Sequence, residues 1–311
     1  MNYLYFVILF LVFSVSSNAQ SSDGKSYLDD KFKLSNKEHY AYLQEVKDFK
    51  YTRAIYEVMT YYKSGKLFSK GLITDKVSLT RTGEYTMYYE NGSVKEKKTY
   101  ERNAPVGGIS EWYDDGRKKI EGEYLIMAKD KPRELKINQF WNRENVQKVI
   151  DGNGAFEDRI GKTYSAGSIK NGFKDSTWTG YDEVMKYSYN ESYSKRELVS
   201  GISTDSLGVV RSYKVVEKFP EPNNGLAGFY NHVQRNIVPM DAKSFKLLIK
   251  FKIDENGEVT NIAVANAPNQ AVAHNIEQVL MSYGKWTAGE IRGIKKSVDF
   301  SLPIVYGADL K

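Results

Sequence analysis

The stretch Phe245-Lys-Leu-Leu-Ile-Lys-Phe-Lys-Ile-Asp-Glu-Asn-Gly257 places Phe245, Leu247, Ile249, Phe251 and Ile253 at every second position, with Lys246, Leu248, Lys250 and Lys252 between them. A period of two marks a strand with one face buried, here with a largely cationic second face. Asp254, Glu255, Asn256 and Gly257 follow without a break. Asn-Gly supplies the positive backbone angles of a tight hairpin turn, so the chain folds back through Val259 to Val264.

Outward from this hairpin the period changes. Upstream, Leu226, Phe229, Tyr230, Val233 and Ile237 recur at helical spacing ahead of Pro239, which stops a helix. Downstream, Val272, Ile276, Val279, Leu280 and Tyr283 form a second apolar stripe. Val298, Phe300, Leu302, Ile304 and Tyr306 then alternate with Ser297, Asp299, Ser301 and Pro303 as a last strand. This order predicts a small two-helix, three-stranded antiparallel α+β domain over residues 225–308.

In sequence these pieces resemble the TonB C-terminal domain family, with its opening Gly-Leu helix, Gly-Val turn, Trp-x-Pro-Gly and closing strand with Pro-Ile. The matching positions are Gly225, Leu226, Pro239, Gly257, Val259, Trp286, Gly289, Gly293, Pro303 and Ile304, and Ala288 stands where the family usually has proline. The resemblance covers roughly the final third of the chain. It implies strand addition of an extended peptide, a segment of an outer-membrane receptor or other envelope protein. The physics is general: an edge strand has unpaired N–H and C=O groups that a second extended chain can satisfy.

Pro303 fits an edge because proline lacks a donor; it equally serves to blunt an edge against aggregation. The predicted peptide-binding set is Trp286, Gly289, Ser297, Asp299, Ser301, Pro303 and Val305, with Trp286 and the turn at Gly289 shaping one end. Lys246, Lys250 and Lys252 read either as an attraction for an acidic peptide or as solvated surface charge. Such an edge also pairs with itself, so a homodimer through the last strand is compatible with the pattern. An energy transducer of this family needs an inner-membrane helix and a long, proline-rich span; with 7 prolines in the chain, energy coupling is not expected here, and any link to transmembrane transport is that of an accessory.

Tyr3 to Val15 is almost wholly apolar, and Ser17, Asn18 and Ala19 precede Gln20 in the pattern of a cleaved export signal, residues 1–19. This predicts a periplasmic or secreted protein. Residues 20–50 read as a polar lead-in with a helix through Lys37 to Val46. Tyr62-Lys-Ser-Gly65, Tyr89-Glu-Asn-Gly92 and Tyr113-Asp-Asp-Gly116 then recur roughly every 25 residues, each an aromatic before a polar-Gly turn. Ile169-Lys-Asn-Gly172 with Trp178, and Tyr187, Tyr189 and Tyr193 before Gly201, read as degenerate copies. They resemble MORN-type repeats, and the expectation is one β-meander over 51–203, joined to the last domain by a linker at 204–224. The tyrosines serve either as a binding surface, for peptidoglycan among other partners, or as strand formers that pack across neighbours.

The 311 residues, with 45 basic and 39 acidic side chains intermingled, lack the concentrated basic stripe of a nucleic-acid binder. Cysteine is absent, which excludes thiol catalysis, lipidated cysteine and disulfides. His39, His232 and His274 belong to no metal or catalytic motif. Asp151-Gly-Asn-Gly154 opens like a calcium loop, but Lys162 occupies the twelfth position, where a bidentate carboxylate is required. The reading is therefore a noncatalytic binding protein without cofactor or metal. The alternative is a structural envelope protein whose repeat sheet binds peptidoglycan or a lipid surface.

Overall fold

The structure is a computed structural model that describes residues 24–126, 133–237 and 245–306, with side chains at 245, 246 and 303–306 left aside. The expected export signal at 1–19 and Pro239 lie outside the described residues. Among those described, no helix is long and apolar enough to cross a membrane.

Among the described residues, sixteen strands follow one another as an antiparallel meander. They are β1 (Lys25–Leu28), β2 (Tyr42–Val46), β3 (Tyr56–Tyr62), β4 (Leu67–Ile73), β5 (Arg81–Tyr88), β6 (Val94–Glu101), β7 (Ala104–Trp112) and β8 (Lys118–Leu125). The series continues with β9 (Glu134–Trp141), β10 (Gln147–Ile150), β11 (Asn153–Ile160), β12 (Thr163–Lys170), β13 (Phe173–Asp182), β14 (Tyr187–Ser194), β15 (Glu197–Asp205) and β16 (Val210–Tyr213). Compact packing divides the chain into Met1–Arg159 with Ser165–Trp178, and Ile160–Tyr164 with Thr179–Lys311.

Two turn types recur in the meander. In the first, Tyr89 donates its amide to Ser93 and Gly92 donates back to Tyr89, with Gly92 at φ +91°; the same pair of bonds closes 62–66, 113–117, 142–146 and 205–209. The fourth residue needs a positive φ, which glycine reaches without steric cost. In the second, both central residues take positive φ, as at Arg102-Asn103, Asp151-Gly152, Asn171-Gly172 and Lys195-Arg196. That is the two-residue hairpin whose twist matches the strands.

The repeated tyrosine has a specific task. The hydroxyl of Tyr62 donates to the carbonyl of Tyr88, that of Tyr89 to Trp112, and that of Tyr113 to Trp141, at 2.8–2.9 Å. Each repeat is thereby tied to the residue just before the next repeat's turn. Burial raises all three hydroxyls above their ordinary pKa, which keeps the donated proton in place. Glycines opposite aromatics complete the pattern: a Cβ at Gly71 would lie 2.0 Å from the ring of Tyr85, its cross-strand partner.

Three expectations change. Residues 37–46 form no helix: Tyr42–Val46 is β2, paired with β1 and β3, because Tyr42, Leu43 and Val46 are better strand formers than the period suggested. Among the described residues the meander therefore runs from Lys25 to Tyr213, beyond both proposed bounds. The proposed linker is structured, since it holds β16, β17 (Glu217–Lys218) and β18 (Glu221–Pro222).

The carboxyl-terminal module has α1 (Gly225–Asn236), β19 (Phe245–Ile253), β20 (Val259–Ala265), α2 (Gln270–Ser282), β21 (Trp286–Thr287), β22 (Gly289–Ile291), β23 (Ile294–Lys296) and β24 (Val298–Tyr306). Its main sheet runs β20-β19-β24, the expected three strands. Beyond that expectation, β17 joins β22 and β23, and β18 joins β21. Asn269 caps α2 by accepting from the amide of Val272 at 3.0 Å. Phe229, Val233, Ile237, Leu247, Ile249, Phe251, Ile253, Ile276 and Leu280 form the core, whereas Leu226, at the first turn of α1, is exposed. The hairpin at 254–257 also differs from expectation. Gly257 alone has positive φ (+80°), while Asp254 accepts from the amides of Asn256 and Glu258, so the loop is the same five-residue closure as the repeat turns.

Tyr62→Phe, Tyr89→Phe and Tyr113→Phe should each lower stability by about 1 kcal/mol, the net worth of one hydrogen bond. Urea unfolding of the three variants checks this, and unchanged midpoints would remove the hydroxyl ladder from the account.

Candidate functional site

The last strand lies at the rim of its sheet. β24 pairs with β19 in unbroken register, Ile253 opposite Val298 through Phe245 opposite Tyr306, and β19 lies between β24 and β20. Among the described strands, β24 has no second partner.

The register fixes which groups are open. Asp254 donates its amide to Glu258 across the hairpin, so its main chain faces β20. Alternation then sends the main chain of Lys252 and Lys250 to β20, and that of Ile253, Phe251 and Ile249 to β24. Their partners Val298, Phe300 and Leu302 turn their amides and carbonyls inward. The main chain of Asp299, Ser301, Pro303 and Val305 consequently faces away from the sheet, with Pro303 contributing a carbonyl only. Side chains sort independently: Leu302 is buried and Phe300 stacks on Phe251 at 5.3 Å, whereas Asp299 and Ser301 are exposed. Lys252 sits 3.8 Å from Asp299, a weak exposed pair.

Three residues of the predicted set do not belong at the open rim. Trp286 is 4% exposed and packs on Phe229, Phe251 and Phe300, so it is a core residue. Gly289 is buried in β22 opposite Lys296, where a Cβ would come within 2.7 Å of Val298. Ser297 gives its hydroxyl to Glu255 at 2.6 Å, which with its amide holds that carboxyl below the usual range. Trp286 and Gly289 shape the site from behind, through Phe300 and Val298. His232 donates from Nε2 to the carbonyl of Val279 at 3.0 Å and so ties α1 to α2.

A second constellation went unnoticed in the sequence. Arg292 and Gly293 form the tip of the β22–β23 hairpin, both at positive φ. The Arg292 guanidinium lies 3.7 Å over the ring of Tyr189, donates from Nε to Glu191 Oε1 at 2.8 Å, and donates to the Tyr187 hydroxyl at 3.2 Å. Glu191 is wholly shut from solvent and also accepts from the hydroxyls of Tyr213 at 2.9 Å and Tyr193 at 3.0 Å. Register explains the assembly: Glu191, Gly201 and Tyr213 form one cross-strand row, and the ring of Tyr213 crosses bare Gly201 to reach the carboxylate. Burial is the largest influence on Arg292 and opposes its charge, but Glu191, Tyr189 and Tyr187 together outweigh it and hold the guanidinium above its usual pKa. The available signal was Tyr187-x-Tyr189-x-Glu191-x-Tyr193, an acid inside an aromatic strand face, which calls for a cation.

The repeat sheet carries a groove of about 900 Å³ across β5–β9, lined by Glu84, Lys97, Ser110, Glu121, Asn138 and Gln139 among others. Its lining is polar and mixed in charge, without an aromatic ring.

Leu302→Ala should destabilise the protein by about 2–5 kcal/mol as a core cavity, whereas Ser301→Ala should stay within about 0.5 kcal/mol. Thermal unfolding of both variants checks the facing of β24. No protein-family model matches the chain, and no curated protein matches it, so the register of β24 carries the functional reading.

Proposed function

We infer that this chain is a noncatalytic, exported envelope protein that takes up an extended peptide by strand addition at β24, with an outer-membrane receptor segment as the partner class. One observation carries the reading: among the described strands β24 has a single sheet partner, and its register turns the main chain of Asp299, Ser301, Pro303 and Val305 outward. A guest strand gains main-chain hydrogen bonds there, and alternate side chains supply the selectivity. Lys250 and Lys252, half-exposed opposite Ser301 and Asp299, favour a guest with acidic residues. The TonB-like order of helix, hairpin, helix and strand supports the same reading. Participation in transmembrane transport would follow from the partner, not from energy coupling in this chain.

The groove on β5–β9 favours a second reading, in which the repeats bind hydroxyl-rich peptidoglycan strands through side chains such as Lys97, Ser110, Glu121 and Gln139. The missing aromatic stacking platform makes it the weaker of the two.

Ser301→Pro removes the outward donor at the middle of the rim without touching a bond to β19. Calorimetry of the full mature chain with acidic peptides from outer-membrane receptors should show at least ~tenfold weaker binding for Ser301→Pro, the scale of one lost main-chain bond plus backbone restriction. Equal affinity of wild type and variant contradicts uptake at this edge; binding of soluble peptidoglycan fragments alone supports the second reading.

A further inference from the structure

We propose that Arg292 is a built-in guanidinium plug, and that the tyrosine-lined pocket around Glu191 is a guanidinium-binding site which locks the carboxyl-terminal module to the last repeat strands. The inference stands apart from peptide uptake, since it concerns β14–β16 and the β22–β23 hairpin. Its chemistry is that of arginine recognition: a planar cation stacked on one ring, forked between a carboxylate and a phenol. Tyr193 and Tyr213, from two other positions of the same sheet, also donate to the carboxylate. Lysine could supply the charge but not the fork and the stacking together.

The hairpin is held by its backbone as well. Arg292 donates its amide to Val216 at 2.7 Å and accepts at its carbonyl from the Ser203 hydroxyl at 2.7 Å, while Gly293 packs beside Arg211 and Tyr213. These contacts orient the tip, and the buried ion pair makes withdrawal costly, because a carboxylate shut from water loses a cation. The hairpin leads through Ser297 straight into β24. The plug therefore fixes where the open rim begins, and it accounts for the absence of a free linker at 204–224.

Hydrogen exchange of the full mature chain tests the plug. In Arg292→Ala, amides of β15, β16, β22 and β23 should exchange at least ~tenfold faster than in wild type, the loss expected for one charge-assisted hydrogen bond, while β3–β6 stay unchanged. Low-millimolar methylguanidinium should restore the protection, and methylammonium should not. Exchange equal to wild type, or acceleration that methylguanidinium fails to reverse, overturns the proposal. Should Arg292→Ala fail to fold, Arg292→Lys serves in its place. It should show the same regional acceleration, and wild-type exchange in that variant also overturns the proposal.

Discussion

Main-chain hydrogen bonding decides what this molecule can do. In an antiparallel meander each strand satisfies the next, and the surplus groups collect on the outermost strands. The carboxyl-terminal sheet has β24 at one rim, and the register with β19 leaves its alternate amides and carbonyls facing outward. Pro303 thins the donors there without closing the rim, which lowers the risk of indiscriminate pairing while leaving acceptors in place.

The repeats reach order by a different economy of means. The Tyr-x-x-Gly turns share one hydrogen-bond pattern, and the hydroxyls of Tyr62, Tyr89 and Tyr113 each grip the carbonyl before the following turn. Glycine opposite an aromatic, as at Gly71 and Tyr85, lets the ring lie over the neighbouring strand where a Cβ would collide with it. The same device, used at Gly201 and Tyr213, brings a phenol to Glu191 and turns a packing motif into a cation pocket.

Much of the fold was legible in the residues because turn chemistry and period speak locally. The alternation of Phe245–Ile253, the stripes of both helices and the Tyr-x-x-Gly turns all appear as elements with nearly the expected bounds. Tyr42–Val46 misled because short strands and short helical stripes look alike when polar residues interrupt them. Residues 204–224 looked like a linker because β17 and β18 are two-residue pieces whose partners lie about seventy residues away. Trp286 was expected to shape one end of the edge on the strength of a motif, and its size and neighbours place it in the core. The Arg292–Glu191 pair spans 101 residues, a separation that no local pattern reveals, although a glutamate among alternating tyrosines hinted at a partner.

The most direct test is residue-resolved amide exchange along β24 of the full mature chain, free and with an acidic receptor peptide. The account predicts alternation in the free protein, with Phe300 and Leu302 protected, Asp299 and Ser301 fast, and the two fast amides slowed once peptide is added. Uniform protection of Asp299 and Ser301 in the free protein at every concentration would show the rim already satisfied, and would contradict it.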